Sequence, residues 1–291
     1  MDLTTEVRES CAEIAGAARF VSIDETAFDR VEPGAGAATL DPAIHYLDGP
    51  ADAVAGYLLA LDAINFGSGW FPLLSKRSGL SGYGTIAAAL ADQVRQSGPL
   101  DGEVLLGMSS RRIAAILGQS AELELMALYA QALRSLGAFL GGRSALAVAR
   151  GAPGAVGFAR LLADGMAMFA DRGFFKRAQI AAADLHLAGL VQWTDVDQLT
   201  IFADNLVPHV LRVDGVLRYD SQLAGLIDSG RMLRAGGPHE REIRACAVHA
   251  CEGLARALEV PPRVLDNWLW SRGQLPRYKA LARHRCQTVF Y

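Results

Sequence analysis

The stretch AELELMALYAQALRSLGAFLG, residues 121–141, decides the fold class. Its apolar residues return every three to four positions, which predicts an α-helix rather than a strand. The same period runs through TIAAALADQVRQ (85–96), SSRRIAAILG (109–118), ARGAPGAVGFARLLADGMAMF (149–169), FKRAQIAAADLHLAG (175–189) and HEREIRACAVHACEGLARAL (239–258). Upstream, residues 51–64 are rich in Ala and Leu at helical spacing, with Asp48 placed to cap that helix. They lead into NFGSGWFPLLSKRSGLSGYG (65–84), a glycine-rich, aromatic-bearing loop of the kind that forms lids or binding loops. FVSI (20–23) reads as a short strand, followed by turn chemistry around Pro33, Gly34 and Gly36, and VDGVLRYD (213–220) as a hairpin or loop. Thr194 with Asp197 resembles a capping box. There is no internal repeat and no βαβ rhythm. The expected architecture is mainly α: one domain over residues 1–291, an N-terminal part (1–84) carrying the loop and a helical, site-bearing part (85–291), with a few short strands or hairpins.

Composition narrows the function classes. Of 291 residues, 51% are hydrophobic and 20% charged, enough apolar material for a large core. The formal net charge of −3 argues against nucleic acid or an anionic membrane as the main partner, since phosphate surfaces demand a clustered basic excess. Four cysteines (Cys11, Cys246, Cys251, Cys286) and six scattered histidines show no metal-ligand spacing, so neither a metal nor a cofactor is expected. The acidic N-terminus and the interrupted apolar runs point to a cytoplasmic protein without a signal peptide or membrane span.

No nucleophile elbow, P-loop, HExxH helix or dinucleotide fingerprint is present. What remains is a set of carboxylates and aromatics. LTIFADNLVPHVLR (199–212) reads as one apolar helix face with Asp204 at its flank and Pro208 four residues on, where the helix should kink or stop. A surface aspartate capping a turn is the bland account of Asp204. VLDNWLW places Asp266 and Trp270 on one helix face, which suits either a stacked base with a donor edge or a core tryptophan beside a capping Asp. Lys176 and Arg177 stand at a helix start, as an anion site or a solvated face. Glu242 with Arg244 reads as an internal brace, and Asp184 as a partner for Lys176 or Arg177.

Taken in order, FFKRAQI-x-x-ADL (174–185), LTIFADNLVPHVL (199–211), GVLRY (215–219), E-x-EIRA (240–245), LD-x-x-LW (265–270) and the tail HRCQTVFY (284–291) resemble the queuosine salvage proteins, which are queuosine 5′-monophosphate N-glycosidases. The likeness is dense from about residue 174 onward and sparser before it. It implies a helical fold related to the helix-hairpin-helix DNA glycosylases and metal-free hydrolysis of queuosine 5′-monophosphate to queuine and ribose 5-phosphate. It also implies site roles: Asp204 catalytic, Phe202, Asp266 and Trp270 at the base, Lys176 and Arg177 at the phosphate, and His45 as an N-terminal histidine of the site. The implied partner is a small nucleotide, not nucleic acid and not a membrane. Departures from the family's pattern fall at Asn205 (a tyrosine there), His186 (a tryptophan), Ser271 (an acid) and the long glycine-rich loop. They bear on which modified nucleotide is taken. The alternatives are a base- or nucleotide-binding protein without turnover, or a hydrolase of a different modified nucleoside monophosphate.

Overall fold

Helices form where the apolar period runs uninterrupted. In a computed structural model, which describes residues 2–31, 34 and 39–291, they span Gly82–Ser97, Ser110–Leu117, Glu124–Leu140, Lys176–Leu187 and Pro238–Ala257. The expected turn residues Pro33 and Gly36 lie outside the described residues. The chain is mainly helical, as its period requires, and the sole sheet among the described residues is a two-stranded antiparallel ribbon. Val21–Ile23 pairs with Leu217–Tyr219 in the register Val21↔Tyr219 and Ile23↔Leu217. The 213–220 segment is therefore not a hairpin: its partner strand comes from the other end of the chain.

Ala51–Ala63 is buried on every side from Ala53 to Ala63 except at Gly56, so it can only be an interior helix. Four helices pack around it: Gly82–Ser97, Glu124–Leu140, Ala145–Arg150 and Lys176–Leu187. The long Pro238–Ala257 helix organises the rest, against Leu3–Gly16, the ribbon, Val207–Val213 and Pro262–Arg272. One contiguous apolar cluster joins residues from Leu3 to Tyr291. Among the described residues no helix is long and apolar enough to cross a membrane.

Local expectations fail where side chains were needed elsewhere. Asp48 does not cap the Ala51–Ala63 helix, whose N-cap is Pro50 without a side-chain bond. The expected 149–169 helix breaks around Pro153 into Ala145–Arg150 and Ala155–Gly165. The capping box at Thr194 is likewise absent. Asp197 pairs with Arg263 at 2.6 Å, while neighbouring Asp195 caps a helix remote in sequence, accepting Ala155 N–H at 2.7 Å and Val156 N–H at 3.1 Å. Gly154 permits that approach, since a Cβ there would stand 2.5 Å from the Asp195 carboxylate. Asp195→Ala is expected to cost about 1 kcal/mol, the usual worth of a helix cap. Urea denaturation measures it, and an unchanged midpoint would contradict the assignment.

Candidate active site

The segment 199–206, expected as helix, is not helical, and the reason lies in what holds it. Thr200 N–H and Oγ1 engage the buried Gln179 side chain, with Thr200 N–H on Gln179 Oε1 at 2.9 Å. Phe202 N–H donates to Asp266 Oδ1 at 2.8 Å, and Ala203 C=O accepts from Arg244 Nε at 2.9 Å. The Asn205 amide reaches His284 C=O at 3.4 Å. Side chains from three separate helices thus satisfy the backbone of this segment, so it needs no helical ladder. Its apolar residues are buried by those same helices, which explains how a helical spacing arises without a helix. The helix begins only at Val207, and Pro208 sits in its first turn, where a missing N–H costs nothing. No kink exists at Pro208.

Asp204 stands at the entry to that helix. Its Oδ1 accepts from Leu206 N–H at 2.7 Å and Val207 N–H at 3.2 Å, so the turn-capping account holds for one oxygen. The other oxygen has no hydrogen-bond partner among the described residues, and the side chain lines a cavity of about 560 Å³. That volume falls in the range of small-molecule sites.

The same cavity gathers five other expected residues: His45, Lys176, Phe202, Asp266 and Trp270. Arg177 is not among them. Only 1% exposed, it donates to the carbonyls of Ala63, Met168 and Val289 and lies between the rings of Phe66 (4.7 Å) and Phe169 (4.8 Å). The expected phosphate role of Arg177 is therefore corrected to a structural brace. Consecutive helix residues point about 100° apart, so one of the Lys-Arg pair meets the cavity and the other the core.

Lys176 follows a costly turn. Phe175 adopts φ 48°, which for an L side chain costs on the order of 1–3 kcal/mol. The Lys176 ammonium donates to Asn65 C=O at 3.1 Å and Asn65 Oδ1 at 3.3 Å. Burial lowers its pKa, and the charge of Asp204 opposes that shift.

Asp266 is 6% exposed, and burial pushes its carboxyl well above the usual range. The Phe202 N–H opposes this and the charge of Asp204 reinforces it. His45 Nδ1–H donates to Asp41 C=O at 2.8 Å, which leaves Nε2 to accept the Tyr83 hydroxyl at 2.9 Å. Burial lowers the His45 pKa, consistent with that neutral tautomer. Tyr83 in turn meets Trp270 edge to face at 6.1 Å between ring centres. An aromatic wall therefore runs from the N-terminal part to the Pro262–Arg272 helix.

Two carboxyls lie behind Lys176. Asp184 lines the cavity, and burial raises its pKa to about 7 against the pull of Lys176. Asp62 is 0% exposed and raised well above the usual range by burial and by Asp184. Asp184 makes no ion pair with either Lys176 or Arg177 among the described residues, so the expected bridge is absent. Carboxyls raised on folding favour the protonated fold. For Asp184 the stability so gained is full below the unfolded value near 4 and is lost as pH rises toward about 7. Asp184→Asn, neutral at every pH, is expected to flatten that fall in urea-denaturation curves taken across the window. An unchanged slope would contradict it.

Glu242 does not brace Arg244. Its carboxylate holds Arg19 N–H at 3.0 Å and Phe20 N–H at 2.7 Å beside the ribbon. Arg244 instead meets Asp171 at 2.5 Å and Glu240, one turn earlier, at 3.2 Å, with the Phe174 and Tyr291 rings over its guanidinium. Its Nε–H on Ala203 C=O carries this fixed charge network directly to the residue before Asp204.

The family model for queuosine salvage proteins matches residues 44–291. The chain belongs to the queuosine salvage protein family. A queuosine 5′-phosphate N-glycosylase/hydrolase of Sphaerobacter thermophilus is 34% identical over 273 residues, covering 85% of this chain and 84% of that protein. Proteins of the same name from Dictyostelium discoideum (36% identical) and Bos taurus (31%) align over 40% of both chains. Of the positions where this chain departs from the family pattern, Asn205 and much of the 65–84 loop line the cavity, whereas His186 and Ser271 do not. Spacing also missed Tyr83, Asn267, Arg283 and Arg285 as cavity residues. For the two arginines a signal existed in the alternating pattern of the tail.

Proposed function

We propose that this queuosine salvage family member hydrolyses the N-glycosidic bond of queuosine 5′-monophosphate, releasing queuine and ribose 5-phosphate. The observation that carries the reading is Asp204, which caps a helix start through one oxygen and lines a cavity with an aromatic wall and a second, buried carboxyl. A 7-deazapurine lacks the ring nitrogen at which purines are protonated for departure, so catalysis must fall on the sugar and the water. Asp204 lies against the anomeric carbon and stabilises positive charge as the C1′–N bond lengthens. Water attacks C1′, its proton passes to Asp204, and the bonding pair leaves with the base, whose nitrogen collects a proton. Asp266 accepts from the donor edge of the base while Phe202 and Trp270 flank its face. Lys176 lines the same cavity, where the charge of Asp204 favours its protonated form against burial.

Incubation with queuosine 5′-monophosphate and mass spectrometry of the products tests this: free queuine and ribose 5-phosphate are expected, and a nucleotide recovered intact would overturn it. Binding energy from the phosphate is remote from the scissile bond and positions the sugar. The dephosphorylated nucleoside is therefore expected to show kcat/KM lower by about 10- to 100-fold, the worth of one or two charge-assisted hydrogen bonds. Equal values would remove the phosphate's role. A different modified nucleoside monophosphate is the second reading, favoured by Asn205 and the long loop at the cavity wall.

A further inference from the structure

Cleavage at C1′ leaves the base nitrogen with an electron pair to be protonated, yet Asp204 and Asp266 act in that step as acceptors. Other proton-bearing groups of the cavity are committed. The Lys176 ammonium donates to Asn65 C=O and Oδ1. His45 Nδ1–H donates to Asp41 C=O and its Nε2 accepts from the Tyr83 hydroxyl, which engages both groups. His209 Nε2–H donates to Tyr278 C=O at 2.8 Å.

Asp184 remains. Lys176, Ile180, Ala183, Asp184 and Leu187 line the cavity at the spacing of a single helix face. No cation pairs with Asp184 among the described residues. From the interior, the Ala51–Ala63 helix, packed on the Lys176–Leu187 helix, brings Asp62 against it. Asp62 is 0% exposed, and the nearby Asn65 amide reaches neither of its oxygens in bonding geometry. Two carboxyls placed together without a cation in contact cannot both be charged, so the pair keeps at least one proton. Burial raises Asp184 to about 7 against the pull of Lys176, and raises Asp62 well above its usual range with the charge of Asp184 adding to it. A proton is therefore held on the cavity wall near neutral pH, where an acid is most effective. The other titratable groups facing Asp184 are Tyr57 beside Asp62, Tyr83 on the Gly82–Ser97 helix and, across the cavity, Asp266. On the remaining faces Arg160 of the Ala155–Gly165 helix is paired with Glu6, and Asp197 of the Val196–Gln198 turn with Arg263.

We infer that Asp184 is the acid that protonates the base nitrogen as the C1′–N bond breaks, with Asp62 the positioning residue that holds the pair's proton behind it. This deepens the hydrolase reading above and rests on it. The Asp184 O–H bond breaks, and the N–H bond forms with the electron pair released from C1′. Water's oxygen bonds to C1′ and its proton goes to Asp204, so Asp184 ends as a carboxylate and Asp204 as an acid. A proton passed from Asp204 through solvent to Asp184 restores both.

The test is the pH profile of kcat/KM on queuosine 5′-monophosphate for the wild type, Asp184→Asn and Asp184→Glu. An acid must hold its proton, so wild-type kcat/KM should fall on the alkaline side. Asp184→Asn should lose that fall and run about 10²-fold below wild type at its optimum, and Asp184→Glu, which restores a proton donor, should recover the fall. Nucleotide affinity by calorimetry should stay within about threefold in Asp184→Asn, because the amide is neutral like the acid it replaces. The assignment is overturned if the wild type shows no alkaline fall, a result that needs no variant. It is overturned equally if Asp184→Asn keeps the fall, which then belongs to another group such as Lys176, whatever the loss of rate. Wild-type protein that releases no base removes the hydrolase reading and the acid with it, whereas base release with an unmoved Asp184→Asn profile removes the acid alone.

Discussion

Asp204→Asn is expected to lower kcat by at least about 10³-fold, roughly 4 kcal/mol of transition-state stabilisation. The amide keeps the shape of the side chain, and its oxygen still caps Leu206 and Val207, so the helix entry survives. What disappears is the negative charge opposite the developing sugar cation and the acceptor for water's proton. Because neither interaction exists in the ground state, nucleotide binding should change only a few-fold while turnover collapses. Steady-state rates set beside calorimetric binding make the comparison. Turnover within about tenfold of wild type would remove Asp204 from the chemistry.

The next largest effect is expected at Asp266. Burial without a charged partner in contact favours its neutral form, and a base presenting N–H donors supplies what the ionised form lacks. Binding of such a base is thus linked to loss of a proton. Asp266→Asn replaces two acceptor oxygens by one and turns a donor toward a donor edge, at a cost of about 2–5 kcal/mol in kcat/KM. The sign of the pH dependence follows: the ionised form binds, so kcat/KM should fall as pH drops through the raised pKa of Asp266. The variant should lose that limb. The Phe202 backbone bond can still be accepted by the amide oxygen, which keeps the 199–206 segment in place. A pH profile of kcat/KM for both proteins decides it, and superimposable profiles would contradict the role.

Much of this was legible in the residues, and the failures have physical causes. Helix positions came from period alone, because amphipathic faces must meet a core. The misreading of 199–206 shows its limit. Apolar spacing reports which residues are buried, and here burial comes from neighbouring helices while Gln179, Asp266 and Arg244 replace the helical ladder. The Lys176–Arg177 pair misled for a simpler reason: adjacency in sequence is divergence on a helix. His45 could not have been joined to Trp270 by spacing, since Tyr83, at the start of the Gly82–Ser97 helix, links them only in the folded chain. The capping role of Asp195 and the strand partner of 217–219 were equally invisible, both being contacts between distant segments.

The most direct test of the site is a crystal structure of the Asp204→Asn variant with queuosine 5′-monophosphate bound. The side chain at position 204 should lie within about 3–4 Å of the anomeric carbon, a near-attack separation, with the base edge on Asp266. A nucleotide seated with its glycosidic bond away from position 204 would contradict the account.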